Sequence, residues 1–161
     1  MRLNKTLTPG EALNKAAAYC TLCERCISEV KAKLDAWGIS YASQTKIIDR
    51  LIDEKFIDEN RYCSAFVNDK LRFNHWGRIK IRAKLIEKRL PRELITTALE
   101  NIDEEEYNNI LRTLLANKAK EVNTDEERKK REKLLRFAAG RGFEPSIIMK
   151  QMNFYPDEVD F

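Results

Sequence analysis

Several residue types on which enzymes depend are scarce in this sequence. The 161 residues include one histidine, His75, which leaves little scope for a histidine pair on a metal or for a histidine-based triad. The five glycines form neither G-x-G-x-x-G nor G-x-x-x-x-G-K-[ST], so neither common phosphate-cradling loop is visible. Runs of acidic residues stand at predicted helix starts, where the helix dipole accounts for them. We therefore expect a protein that is not an enzyme and has no small-molecule substrate.

Long apolar runs are also missing. No stretch approaches the roughly 20 apolar residues that cross a bilayer, and residues 1–13 lack the apolar centre of a signal peptide. Five Gly and four Pro do not indicate a loop-rich chain, and a hydrophobic content of 43% suffices for a core. We expect a folded, monomeric, cytoplasmic protein without membrane contact.

Cysteine is limited to four residues, but three of them are clustered. Cys20, Cys23 and Cys26 stand at C-x-x-C-x-x-C spacing. A ferredoxin-type run has its fourth cysteine four residues after the third, where this chain has Val30. A zinc site needs four nitrogen or sulfur ligands, and no obvious fourth ligand is present. A metal or redox site and simple packing along a helix both remain open; we favour packing and expect no metal or cofactor.

Positive charge is concentrated in one part of the chain. The net charge is only +4, yet the window from Lys70 to Arg92 holds nine Lys or Arg and a single acid, Glu87. Such a window suits a polyanion or an acidic protein surface, although a solvated helix face without a partner would carry the same charge. The candidate contact residues in it are Arg72, Arg78, Lys80, Arg82, Lys84, Lys88 and Arg89. Helical spacing places the three lysines on one face, and Arg78, Arg82 and Arg89 on another.

Helix start signals recur along the chain. Thr8-Pro9-Gly10-Glu11 forms a capping box. Asp58 and Asp103 each follow an isoleucine that can pack on a tyrosine five residues later, and Ser28 and Thr124 are further candidate N-caps. Residues 78–82 alternate like a strand, but the apolar spacing that continues beyond them favours a helix. The fold class predicted from these signals is all-α.

An apolar pattern recurs three times with a period of about fifty residues. In each copy an apolar residue is followed five positions later by another, then by a short connection and an apolar pair. The copies start 51 and 53 residues apart, at Leu34, Leu85 and Ala138. Each copy should contain one tight turn, near Gly38, Arg89 and Gly142.

This period predicts three tandem three-helix repeats. Their expected bounds are 1–56, 57–101 and 102–161, and the last repeat ends in the acidic tail 157–160. Three short helices bury little surface alone, so neighbouring repeats should pack on one another. We predict an elongated, curved modular array.

The order of these motifs resembles the RecX family of recombinase regulators over about residues 12–152. Residues 25–39 are similar to the family's R-x-x-S-E-x-E-L…L…K-G signature, and residues 51–62 to its L…G-y-l-D-D-x-r-y-a segment. Residues 77–88 look like G-x-x-r-I…L-x-x-K-G-i, and residues 135–143 like r-f-L-x-x-R-G-F. No single motif is exclusive to the family, but their order and spacing together are specific.

The chain also departs from the family pattern. Lys55 and Arg89 stand where the family usually has glycine, so we expect those turns to be shaped differently, because left-handed backbone is costly for other residues. None of the clustered cysteines belongs to the pattern, which supports the packing interpretation.

The resemblance implies a non-enzymatic regulator in recombination, DNA repair and the SOS response. Members bind the helical filament that RecA forms on single-stranded DNA, and inhibit its ATPase and strand exchange. The seven basic residues would then face an acidic filament surface or the phosphates of single- or double-stranded DNA. We favour the arginine face for protein contacts, because guanidinium pairs with carboxylates in a planar fork. The alternative is a helix-turn-helix-like module that acts directly on nucleic acid.

Overall fold

The computed structural model describes residues 6–153, and all regular structure in that range is helical. The helices are α1 (Pro9–Leu22), α2 (Ile27–Ala36), α3 (Tyr41–Asp53), α4 (Glu59–Arg72), α5 (Arg78–Glu87), α6 (Arg92–Glu100), α7 (Glu104–Glu121), α8 (Glu127–Gly140) and α9 (Pro145–Asn153). Between residues 6 and 153 no helix combines the length and apolarity needed to span a bilayer.

The helices pack in consecutive groups of three, which we call unit 1 (α1–α3), unit 2 (α4–α6) and unit 3 (α7–α9). Unit 1 has an apolar core of its own, whereas units 2 and 3 share a single core through contact of α4 with α7. The predicted all-α fold of three tandem three-helix repeats is confirmed. The repeat bounds within the connecting segments stay predictions, and the acidic tail 157–160 lies outside the described residues.

One turn geometry explains the recurring apolar pairs. In each repeat the amide of the second apolar residue donates to the carbonyl of the first, at 3.0 Å for Leu34–Ile39 and 3.2 Å for Leu85–Leu90 and Ala138–Phe143. This six-to-one bond defines the Schellman motif, which ends a helix on a left-handed residue and brings the two apolar side chains together. The left-handed residues lie at the predicted turn positions and are Gly38 (φ 72°), Arg89 (φ 62°) and Gly142 (φ 92°).

A fourth turn of this kind ends α3. There the amide of Phe56 donates to the carbonyl of Leu51 at 2.8 Å, and Lys55 is left-handed with φ 61°. The expectation that Lys55 and Arg89 reshape their turns was therefore wrong. Both keep the conformation that glycine would adopt, because the Schellman bonds are formed and the flanking apolar residues Leu51, Leu85 and Leu90 are buried, with Phe56 half-buried.

The N-caps divide into confirmed and corrected predictions. The side chains of Thr8, Asp58 and Asp103 each accept a hydrogen bond from the backbone amide three residues later, as predicted. Ser28 is not a cap, because α2 begins at Ile27 after an extended Cys26 and Ser28 is already helical. Thr124 is not a cap either, because α8 begins only at Glu127.

Units 2 and 3 approach each other backbone to backbone. The amide of Gly77, which precedes α5, donates to the carbonyl of Arg141 at 2.8 Å, and the amide of Ile79 donates to the carbonyl of Gly142 at 3.0 Å. A Cβ atom on Gly77 would overlap the backbone of Gly142 and Phe143, and one on Gly142 would overlap Lys80. These contacts fix the start of α5 relative to unit 3.

Units 1 and 2 meet through a more polar junction. Cys26 of the α1–α2 connection is fully buried in the core of units 2 and 3. Around it, the amide of Ile27 donates to the Glu59 carboxylate at 3.3 Å, and Arg61 pairs with Glu24. The sequence therefore places a thiol at the junction of two units and surrounds it with charged groups.

Candidate interaction surface

The lysine face of α5 consists of Lys80, Lys84 and Lys88, which follow one another at four-residue spacing as predicted. All three are half-buried. The Lys80 ammonium lies 4.6 Å from the centre of the Trp76 ring, and the Lys88 ammonium lies 4.0 Å from the Glu29 carboxylate of α2. The face therefore extends from the end of the α4–α5 connection to unit 1.

Trp76 is held between two cations. Lys70 of α4 lies 5.0 Å from the centre of the Trp76 ring and 5.4 Å from that of Phe66, while Lys80 approaches the indole from α5. Ammonium groups at these distances are attracted to the electron-rich ring faces. A groove of about 400 Å³ runs from Trp76 across α4 to the start of α2, with Lys84 and Lys88 in its lining.

Glu29 organises the unit 1 side of this groove. Burial alone would raise the pKa of Glu29, but hydrogen bonds from Tyr62 and Cys26 and the nearby Lys88 outweigh burial and lower it. Arg25 adds an ion pair at 3.8 Å. Glu29 therefore stays ionised and binds one lysine of α5 to unit 1.

Arg82 and Arg89 lie on a different side of α5. Arg82 is exposed, and its guanidinium makes a 3.5 Å contact with the Thr96 hydroxyl, while Arg89 is exposed at the turn after the helix. Ile79 and Ile86, which are 53% and 44% exposed, lie beside them at helical spacing. We call Ile79, Arg82, Ile86 and Arg89 the isoleucine–arginine stripe.

Arg78 was predicted to face a partner, and in the structure its side chain already has partners within the chain. Its guanidinium lies 4.0 Å from the centre of the Tyr107 ring of α7 and pairs with Glu144 at 3.0 Å and with Glu104. Its side chain is only 18% exposed. Arg78 therefore connects unit 2 to unit 3 within the chain.

Arg72 also has a partner within the chain. At the end of α4 its guanidinium binds the Glu106 carboxylate of α7 through two nitrogens, with the shorter contact at 2.6 Å. The Arg72 side chain is 54% exposed, and that of Glu106 is half-buried. The structure therefore brings the three lysines together, places Arg82 and Arg89 apart from them, and pairs Arg72 and Arg78 with unit 3.

The cysteines do not share one environment. Cys20, Cys26 and Cys63 are buried and reduced, and burial together with Glu59 and Cys26 raises the pKa of the Cys63 thiol to about 11. Cys23, the extended C-cap residue of α1, is exposed. The packing interpretation therefore holds for Cys20 and Cys26 but not for Cys23. Between residues 6 and 153 no group of three or more His, Cys, Asp or Glu side chains is placed to hold a metal ion.

Sequence reasoning missed two features of the surface. The first is the exposure of Ile79 and Ile86, because helical spacing groups these residues without showing which side of α5 is buried. The second is the charge of α8. Its residues 127–137, ERKKREKLLRF, include six cations and two acids, and a third acid, Glu126, directly precedes the helix. The run RKKREK is evident in the sequence, but it lies outside the basic window from Lys70 to Arg92.

Comparison with known families agrees with this architecture. The profile of the second three-helix domain of RecX matches residues 58–99, and that of the third three-helix domain matches residues 104–152, so that together they span more than half of the chain. The chain belongs to the RecX family. The two matched regions correspond to unit 2 and unit 3, which share the larger core.

Individual relatives support the same assignment. The chain is 33% identical over 122 residues to the regulatory protein RecX of Clostridium botulinum strain Eklund 17B, covering 74% of this chain and 57% of the relative. With regulatory protein RecX of Prosthecochloris aestuarii it shares 27% identity over 145 residues, covering 89% and 92%. Against the Lactobacillus johnsonii protein it spans only 39% of the relative's length.

A solved structure shows the same fold. The crystal structure of RecX from Lactobacillus salivarius superposes with a TM-score of 0.83 at 23% identity, covering 91% of this chain and 95% of that one. At this level of identity the likeness establishes the three-unit arrangement of helices and not the surface residues.

Proposed function

We propose that this chain is a non-enzymatic cytoplasmic regulator that binds the RecA filament on single-stranded DNA and inhibits its ATPase and strand exchange. Membership of the RecX family supports this role, since the curated relatives carry the name regulatory protein. The described residues also offer a surface suited to such a partner, and that surface lies on α5.

The observation that carries the proposal is the isoleucine–arginine stripe. Protein interfaces combine a desolvated apolar centre with arginine, whereas a merely solvated helix face is polar throughout. Ile79 and Ile86 supply the apolar centre, and Arg82 and Arg89 supply guanidinium groups that no carboxylate within residues 6–153 neutralises. We assign this stripe to an acidic surface of the recombinase. Arg78 is left out of the assignment because its partners lie within the chain.

The lysine face is the second surface in the proposed contact with the filament. Its ammonium groups and the Trp76 ring line a groove that reaches from unit 2 to unit 1, so a bound filament would contact both units. A partner in this groove would compete with Glu29 for Lys88. We propose that the lysine face contacts the filament beside the stripe.

The charge distribution does not favour insertion of a recognition helix into DNA. In a helix-turn-helix the second helix of the pair enters the major groove. In unit 2 that helix is α6, where Arg92 is accompanied by Glu93 and Glu100. The cations lie on α5, the first helix of the pair, so direct reading of bases by unit 2 is the less supported function.

The experiment adds the purified chain to RecA that is hydrolysing ATP on single-stranded DNA. We expect inhibition at fewer than one chain per RecA subunit if the chain blocks filament growth, and inhibition that saturates near the number of binding sites if it lies along the filament. Unchanged hydrolysis and strand exchange at every ratio would refute the proposal. Tight binding to naked double-stranded DNA without any effect on RecA would support the helix-turn-helix alternative.

A further inference from the structure

Helix α8 presents a second set of cations that the proposed filament contact does not use. Arg128 is 91% exposed, and Lys129, Arg131, Lys133 and Arg136 are exposed as well. By helical spacing, Lys129, Lys133 and Arg136 lie along one side of α8, away from the buried Leu134 and Ala138. We call these three residues the α8 cation stripe.

The charge of this stripe is largely uncompensated. Lys129 pairs with Glu126 at 2.9 Å, but no carboxylate within residues 6–153 lies within 4 Å of Lys133 or Arg136. Some other exposed cations of the chain do have acidic partners, as in the pairs of Arg61 with Glu24 and of Arg72 with Glu106. Two adjacent unpaired cations on an ordered helix create a local positive potential that attracts an external anion.

The surroundings of the stripe indicate the kind of anion. The large apolar side chains exposed within residues 6–153 lie on other elements, and none lies on α8. A protein interface needs an apolar centre, whereas contacts to a nucleic-acid backbone are polar and charged. From Lys129 to Arg136 the stripe is about 10 Å long, a length over which one strand of B-DNA carries about three phosphates. Three cations therefore match three phosphates.

We propose that the α8 cation stripe binds the phosphodiester backbone of nucleic acid. The geometry suits phosphate contact that is independent of sequence, because long flexible cations on one helix side reach the backbone and not the base edges. The inference goes beyond the proposed regulation of RecA, and its test contains no recombinase. The stripe keeps a fixed position relative to α5, because Gly77 and Gly142 lock unit 3 onto unit 2.

The test measures binding of a fluorescein-labelled single-stranded 20-mer of mixed sequence to the full chain by anisotropy, over a series of salt concentrations. The stripe variant is Lys133→Gln/Arg136→Gln, and Lys133→Glu/Arg136→Glu gives the stronger perturbation. The control is Lys46→Gln/Arg50→Gln, which removes the same formal charge from two exposed cations of α3 in unit 1, one of which, Arg50, pairs with Glu54 at 3.0 Å. Circular dichroism and the unfolding midpoint verify that each variant folds.

Each phosphate contact to a single strand contributes about 0.7 to the slope of log K against the logarithm of the salt concentration. Loss of two contacts should therefore make this slope shallower by about 1.4 and weaken binding about tenfold near 0.15 M salt. The control should keep the wild-type slope. Equal slopes in the stripe variant and the wild type would overturn the proposal, as would an equal loss of affinity in the control variant.

A competition experiment tests the kind of anion. If polyglutamate of matched charge displaces the oligonucleotide as well as unlabelled DNA does, the stripe recognises acidic polymers in general and the assignment to phosphodiesters fails. Should the glutamate variant unfold, the glutamine variant decides.

Discussion

Arg78 and Tyr107 contact each other twice across the boundary between units 2 and 3. The guanidinium of Arg78 lies 4.0 Å from the centre of the Tyr107 ring, and the Arg78 amide donates to the tyrosine oxygen at 3.1 Å. The Tyr107 hydroxyl donates in turn to Glu144, which pairs with the Arg78 guanidinium. Burial and the Glu144 hydrogen bond raise the pKa of Tyr107, so the hydroxyl remains a donor throughout the ordinary pH range. The three residues thus form a closed ring of contacts.

The first prediction concerns this ring. Arg78→Ala should lower the free energy of unfolding by about 3 kcal/mol, because it leaves Glu144 without its cation in a part-buried site and removes the cation–π contact. Denaturant unfolding followed by circular dichroism measures the loss. Arg72→Ala is the matched control, since its pair with Glu106 is solvated and should contribute little. A near-normal stability of Arg78→Ala would show that Arg78 is not structural and would return it to the set of contact residues.

The second prediction separates backbone strain from steric overlap at two glycines. Both Gly142 and Gly38 have positive φ, but a Cβ on Gly142 would overlap Lys80, whereas a Cβ on Gly38 would meet nothing within 4 Å. Gly38→Ala should therefore cost about 1 kcal/mol from the left-handed backbone alone. Gly142→Ala should cost about 3 kcal/mol or more, because unit 3 must also move away from α5. Equal losses of stability in the two variants would argue against the close approach of the units.

The turns that end the helices and the contacts of Arg78 show what the sequence could and could not predict. The apolar pairs such as Leu34–Ile39 predicted the tight turns that the structure shows to be Schellman motifs, because such a turn depends on residues close together in the chain. The role of Arg78 was not predictable in this way, since its partner Glu144 is 66 residues away and only the packing of unit 3 on unit 2 brings them together. The lysine face followed from helical spacing.

The direction of a side chain was the part that spacing alone did not determine. Ile79 and Ile86 fit a helical apolar pattern and yet are exposed, because the core of units 2 and 3 lies on the side of Ile81 and Leu85. The sequence could thus group Lys80, Lys84 and Lys88 on one side of α5. Which side of α5 is buried depends on the positions of α4 and α6, and helical spacing does not give these.

The third prediction concerns acid stability at the junction of units 1 and 2. The pKa of Glu29 is lowered in the folded chain, so its contribution is complete above the ordinary carboxyl value of 4.5 and is lost as pH falls through the lower, folded value. Glu29→Gln should cost about 1 to 2 kcal/mol at neutral pH, because Lys88 loses its ion pair and Tyr62 a charged acceptor. It should also make stability less dependent on pH below 4.5.

Glu59 is the control of opposite sign for this prediction. Burial raises the pKa of Glu59 above 4.5, so its ionisation opposes folding and its stabilising, protonated form is lost as pH rises through the raised value. Glu59→Gln can still accept the hydrogen bond from the Ile27 amide and should stabilise the chain slightly at neutral pH. Urea unfolding between pH 3 and 7 measures both variants. The same response in both would contradict the assigned environments.

The fourth prediction tests the isoleucine–arginine stripe as a protein contact. Ile86→Glu should raise the concentration needed for half-inhibition of RecA ATPase by about tenfold or more, because it places a carboxylate at the apolar centre of a surface proposed to meet an acidic partner. Since Ile86 is exposed, helical content should not change. Met149→Glu makes the same chemical change at an exposed apolar residue of α9, 46% exposed against 44% for Ile86, and should leave inhibition intact. If Ile86→Glu inhibits normally while Lys84→Glu does not, the lysine face and not the stripe carries the contact with RecA, and the arginines of α5 serve only to keep that side of the helix soluble.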